Sequence, residues 1–324
     1  MKRLVVPGKH MGGNWEVQCF PRNKHEKDYF TQIIADGFKE VVRIENLLTD
    51  FKPSPFMKIN DFAGEKPVKV DQEIFDIITQ SLQISNETKG LFDISYASVG
   101  HYWRQCRKKG ILPDEKTVKD LSELIDYRKI EMDSKNQTIF LPHPFMRIGL
   151  GGIGKGYAVD RLFDYLRKKG MVNFMVNGSG DIRVHSLASA PRKWKVGIRN
   201  PFNPDPSVKC GLLCIDNGAV ATSGDYINTI KIEDKNYHHI ISPNDGHSSQ
   251  GIVSSTVWTE NAIEADTLAT SLMLMDIGEA LTYSNVRGLF SLLIDENGKV
   301  HLSRKAMQVM TRNHLSEEPV CEWH

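Results

Sequence analysis

Residues 148–160 read Ile148-Gly149-Leu150-Gly151-Gly152-Ile153-Gly154-Lys155-Gly156-Tyr157-Ala158-Val159-Asp160, with five glycines in eight residues and a lysine among them. Backbone amides without flanking side chains can approach a phosphate closely, and a helix starting just beyond them adds a favourable field for an anion. Gly149, Gly151 and Gly154 match the GxGxxG spacing of a dinucleotide turn. The next apparent strand, 172–177, ends in Asn, where that fingerprint wants an acid on the ribose. Gly149 to Lys155 also fits GxxxxGK, but Gly156 stands where a phosphate loop carries Ser or Thr for magnesium. A tight turn packing a helix on a sheet is the plain alternative. The cation at Lys155 beside clustered amides favours the phosphate.

Three further groups have chemical potential. Asp266 and Thr270 stand at i and i+4 of a helical pattern, so their oxygens share one face. A carboxylate and a hydroxyl so placed suit a hard cation that also takes substrate phosphates, although an Asp near a helix start is also a common cap. His238-His239 ends a strand that runs into Ser242-Pro243-Asn244-Asp245-Gly246, where a histidine can reach a cleft as a base or lie exposed. Thr222-Ser223-Gly224-Asp225 and Gly90-Leu91-Phe92-Asp93 are small-residue or apolar–acid turns able to line a ligand.

Positioning these groups requires helices first and strands later. Phe30, Ile33, Ile34, Phe38, Val41, Val42 and Leu48 recur at helical spacing over 26–49, and the pattern repeats over 71–84 and 114–127. A strand at 15–20, a strand pair at 129–133 and 137–141, and a helix over 157–169 capped by Gly170 follow from the same reasoning. Residues 172–258 alternate in short apolar runs, which reads as sheet. A helix over 261–275 and a hairpin at 289–303 come last. Without a steady βαβ alternation the fold class is α+β, in mixed or antiparallel sheets packed with helices, and nothing in the composition marks a domain boundary.

The 324 residues carry 41 Lys plus Arg and 40 Asp plus Glu, so no global field draws the chain to nucleic acid or anionic lipid. Five cysteines without a CxxC pair argue against a disulfide framework or a zinc knuckle. Cys210 and Cys214 lie on one strand and are expected on one face. No run approaches a membrane span. The opening MKRLVVPGKHMGG lacks the apolar core of an export signal, so the chain as it stands reads as cytoplasmic; a longer, trimmed N-terminus would make it periplasmic or membrane-anchored.

The order of these segments adds to their individual content. Thr88–Asp93, GGIGKGYAVD, the NGSGD turn at 177–181, ATSGDY, HHIISPNDG and EADTLAT together resemble the ApbE-like family of FAD:protein FMN transferases. The resemblance runs from about Met11 to Leu302, leaving a short tail over 304–324. It implies one α+β domain over 1–324 with a T-fold-like core. It also implies FAD as donor, Mg²⁺ at the pyrophosphate, AMP as product, and a Thr or Ser of an acceptor flavoprotein as the flavinylation site. Water in place of that hydroxyl would give an FAD pyrophosphatase, and loss of chemistry a non-catalytic FAD-binding protein. Residue by residue, Asp266, Thr270 and the Gly152 carbonyl match metal ligands. Lys155 matches the lysine near the pyrophosphate, with Gly151 in the same turn, and His239 matches the base. Met11, Leu91, Phe92 and Asp93 match positions lining the flavin or adenosine pocket, with Thr222 and Ser223 as further ligand contacts. The family pattern has Asp at Gly149, Ala at Gly154, Gly at Ser179, Asp at Ser242, and Tyr where Asp50 or Phe51 stands.

Overall fold

The computed structural model describes residues 2–205, 207–225, 230–232, 235–238 and 240–310. Its centre is an eight-stranded sheet whose spatial order follows the chain: Leu4–His10, Gly13–Cys19, Phe174–Gly178, Asp181–His185, Gly218–Gly224, Ile252–Thr259, Phe290–Asp295 and Val300–Leu302. Every neighbouring pair is antiparallel. That excludes the dinucleotide turn of a parallel βαβ unit for the 149–154 glycines.

Alternation along the strands builds two cores. Phe174, Val176, Ala219, Ala221 and Leu293 face a layer of helices, while Met175, Val184, Val220, Leu292 and Ile294 face the opposite side. The helix layer contains Lys24–Leu48, Gly154–Lys168 and Ala262–Leu272, packed against one another and the sheet. The other side is covered by the hairpin Trp194–Arg199 and Lys209–Ile215 and by the short helix Arg304–Val309, whose Ala306 is buried. Residues 304–310 therefore belong to the packed body rather than to a tail.

Several sequence expectations shift in detail. The helix expected over 114–127 spans only Glu115–Ser122, capped by Asp114, because Asp126 then caps a separate 3-10 turn at Tyr127–Lys129. Cys210 is buried beside Ile198, whereas Cys214 is half-buried. A register irregularity between Ile198 and Arg199 breaks the alternation between the two thiols. The helix after the glycine turn begins at Gly154, three residues early, so Lys155 and Gly156 lie in its first turn. A Cβ at Gly156 would stand 2.5 Å from the Ala262 carbonyl, so this glycine lets the two helices meet backbone to backbone.

Candidate functional site

Asp266 and Thr270 stand on the helix Ala262–Leu272 as the i, i+4 spacing requires. Asn261 caps this helix through Glu264 N–H, and Asp160, from the neighbouring helix, accepts the first-turn amides of Ala262 and Ile263 at 2.9 and 3.0 Å. Arg183 pairs with Asp160 at 2.7 Å. The helix start is thus fixed from outside, which leaves the Asp266 carboxylate for other work. Its Oδ2 accepts Gly156 N–H at 3.0 Å, tying it to the glycine turn.

Lys155 reaches into the same place. Its Nζ donates to Asp181 Oδ2 at 2.7 Å and lies 3.7 Å from Asp266 Oδ1. Burial alone would lower the ammonium's pKa, but the two carboxylates outweigh it and hold the pKa above its ordinary value. Asp181 is shifted upward, first by burial and then by the charge of Asp266, against the pull of Lys155. Asp181 Oδ1 is buried without a hydrogen-bond partner among the described residues. Two acids around one base, with an orphaned oxygen, form a cluster that retains capacity for a donor or cation.

Thr270 Oγ1 lies 3.0 Å from Ser223 Oγ, and Thr222 Oγ1 lies 2.9 Å from Thr256 Oγ1. A Cβ at Gly152 would be 3.5 Å from Thr270 Oγ1 and 3.2 Å from the Phe92 ring, so the turn backbone approaches the hydroxyl with no side chain between them. Leu91, Phe92, Asp93, Gly151, Gly152, Lys155, Thr222, Ser223, Asp266 and Thr270 all line one cleft, with Gly149 and Ser179 beside them. Segments more than a hundred residues apart in sequence do meet.

Not every expected residue stands at the wall. Met11 is not among the lining residues: its Cε is 3.9 Å from where a Gly154 Cβ would be, and its amide donates to Glu45 at 2.9 Å. Although Asp93 borders the cleft, its carboxylate is turned inward, accepting Ser95 N–H, Ser95 Oγ–H and Tyr127 N–H. It caps a turn as well as bordering the ligand space. His239 lies outside the described residues. Its neighbour His238 is buried against the Ser249 carbonyl at 2.7 Å, and burial lowers its pKa.

Sequence reasoning gave no site role to Asp181, although its NGSGD turn was visible, missed Tyr96 in the cleft wall, and named Asp50 only as standing where the family pattern has Tyr. A Cβ at Gly149 would lie 3.5 Å from Tyr96 Oη and 3.6 Å from Asp50 Oδ2. The acid expected on the turn is therefore met in space by Asp50, from a different segment. Among the described residues, no three His, Cys, Asp or Glu side chains cluster as a metal site. Asp266, Thr270 and Gly152 line the same cleft, and a carboxylate, a hydroxyl and a backbone carbonyl are oxygen donors of the type that magnesium takes.

A cleft that pairs a lysine-bearing glycine turn with a carboxylate–hydroxyl helix face is that of a protein handling a phosphorylated ligand. The ApbE family model matches residues 11–292, and the chain belongs to that family. It is 30% identical over 237 residues to an FAD:protein FMN transferase of Klebsiella pneumoniae (strain 342), covering 72% of this chain and 73% of the relative. It is 27% identical over 311 residues to the enzyme of that name from Escherichia coli (strain K12), covering 91% and 84%. The crystal structure of the ApbE protein from Thermotoga maritima MSB8 superposes with a TM-score of 0.85 at 24% identity, covering 96% of this chain and all of the other. The flavin transferase ApbE from Vibrio cholerae does so with a TM-score of 0.78 at 20% identity, covering 95% and 99%. Among the described residues, no helix is long and apolar enough to cross a membrane.

Proposed function

We propose that the protein is an FAD:protein FMN transferase that moves FMN from FAD to a Thr or Ser hydroxyl of an acceptor protein and releases AMP. The observation that carries this reading is the meeting of Lys155, Asp266 and Thr270 with Gly149, Gly151 and Gly152 on one cleft, with Asp181 paired to Lys155. Family membership and the names of the relatives support the same activity.

The acceptor hydroxyl attacks the phosphorus on the FMN side of the pyrophosphate, the bridging P–O bond breaks, and AMP leaves with the electron pair. Lys155 and the amides of the glycine turn stabilise the charge gathering on the leaving phosphate. Asp181 holds the ammonium in place. Asp160 fixes the helix that presents Asp266 and Thr270. Asp266, Thr270 and the Gly152 carbonyl would hold Mg²⁺, which when bound offsets the pyrophosphate's negative charge. His239 is assigned the acceptor's proton, a contribution typically on the order of 10²–10⁴ in rate. Leu91, Phe92, Thr222 and Ser223 contact the donor along the cleft, with Met11 beside Gly154.

Incubation with FAD and Mg²⁺, with and without a protein bearing a Thr or Ser acceptor site, tests this by chromatography of AMP and FMN. AMP released in step with acceptor-bound FMN supports transfer. Free FMN and AMP at the same rate without acceptor would replace transfer with hydrolysis, and no AMP under any condition would reduce the protein to a flavin binder.

A further inference from the structure

Tyr96 takes no part in the chemistry proposed above. It closes the 3-10 turn Ile94–Tyr96 at the start of the helix Ala97–Lys109. Two glycines, Gly100 and Gly151, make room for it, and Gly149 lies in ordinary contact. A Cβ at Gly100 would stand 3.0 Å from Cε2, one at Gly151 only 2.7 Å from Oη, and one at Gly149 3.5 Å from Oη. The ring packs on the cluster of Val99, Trp103, Val118 and Ile241, which holds its direction, and the residue borders the cleft. Among the described residues its hydroxyl has no hydrogen-bond partner, although ring and glycines leave it little freedom to turn away. An aromatic body fixed in packing with an unused polar tip is an arrangement for recognising a ligand.

The wall behind it is already satisfied. Asp50 Oδ2 accepts from His101 Nε2 at 3.0 Å and Arg104 Nη2 at 2.9 Å, and the Arg104 guanidinium lies 4.1 Å from the centre of the Phe51 ring. Burial, and then the charge of Asp50, push the Tyr96 phenol up to about 12, so it keeps its proton near neutrality. The same cleft is also lined by the apolar side chains of Ile240, Ile241 and Pro243. A cleft lined by apolar side chains, bare glycine backbone and one O–H without an internal partner among the described residues fits a flat ring with an acceptor atom.

We propose that Tyr96 donates its hydroxyl proton to an acceptor on a planar heteroaromatic ring of the dinucleotide donor and so sets the affinity for that donor. This rests on the reading of FAD as substrate. Adenine and isoalloxazine both carry such acceptors, and the test separates them. Binding of FAD, ADP and FMN to the full chain with Mg²⁺ is measured for wild type and Tyr96→Phe, which removes one oxygen and keeps the ring packing. One neutral hydrogen bond corresponds to about a three- to tenfold loss in FAD affinity. The expected pattern is that loss for FAD, the same loss for ADP or FMN but not both, and an unchanged melting temperature. Loss on ADP places the adenine beside Tyr96, and loss on FMN the flavin. Wild-type affinity for all three ligands in the variant overturns the inference, as does an equal loss on both halves with a lowered melting temperature. Wild-type protein that binds none of them removes the FAD reading itself.

Discussion

Asp181→Asn isolates what the second carboxylate does for Lys155. In the folded protein the ammonium sits 2.7 Å from Asp181 and 3.7 Å from Asp266. Removing the Asp181 charge leaves Asp266 as the only carboxylate within reach among the described residues, and a movement of about 1 Å closes that gap. At an effective dielectric constant of about 20, closing it strengthens the Lys155–Asp266 attraction by about 1.7 kcal/mol. The Lys155 side chain keeps 34% of its exposure, so solvent screening reduces the gain to about 1.4 kcal/mol, or tenfold in an equilibrium constant. A cation binding Asp266 must displace that contact. The Mg²⁺ concentration for half-maximal AMP release is therefore expected to rise about tenfold in Asp181→Asn, while the rate at saturating Mg²⁺ falls less. A Mg²⁺ titration of AMP release, with thermal melts showing a folded variant, measures this. An unchanged Mg²⁺ midpoint with reduced kcat would refute the division of labour between the two acids.

Three other outcomes follow from the same geometry. Asp266→Asn keeps an oxygen for Gly156 N–H but loses the charge, so AMP release should fall more than about 100-fold with little change in melting temperature; a variant retaining a tenth of the activity would remove Asp266 from the metal set. Gly156→Ala forces a Cβ against the Ala262 carbonyl, and chemical denaturation should show a loss of about 2 kcal/mol or more, whereas neutrality would mean that the helices separate freely. His238 has a folded pKa below its unfolded value of 6.5 because of burial, so the unfolded chain binds more protons and stability falls as pH drops below 6.5. The stability difference between wild type and His238→Gln should accordingly shrink from pH 7.5 to 5.5, and a constant difference would contradict a buried neutral imidazole.

The parts of the fold that were legible are those whose pattern is local. The apolar spacing of Phe30, Ile34, Phe38 and Val41 specifies the long first helix, and Asp266 and Thr270 share a face in any helix containing both. The helix Ala97–Lys109 escaped because its buried side includes Ser98, Gly100 and Cys106 beside Val99 and Trp103, which gives no clear apolar stripe. Tyr96, His101 and Arg104 went unread with it. The strand Leu4–His10 was hidden by Pro7 and Gly8, which an edge strand tolerates and a central one does not. Asp181 was visible only as the end of the NGSGD turn, and Asp50 only as standing where the family pattern has Tyr. Their roles come from the groups they meet, Lys155 across 26 residues and Arg104 across 54.

The claim underlying the whole account is that one cation and one pyrophosphate sit between the helix Ala262–Leu272 and the glycine turn. A crystal soaked with FAD and Mn²⁺ and measured at the manganese edge locates both. The account predicts an anomalous peak within coordination distance of Asp266, Thr270 and the Gly152 carbonyl, with the diphosphate beside Lys155. A peak elsewhere, or a diphosphate bound away from residues 149–155, would contradict it.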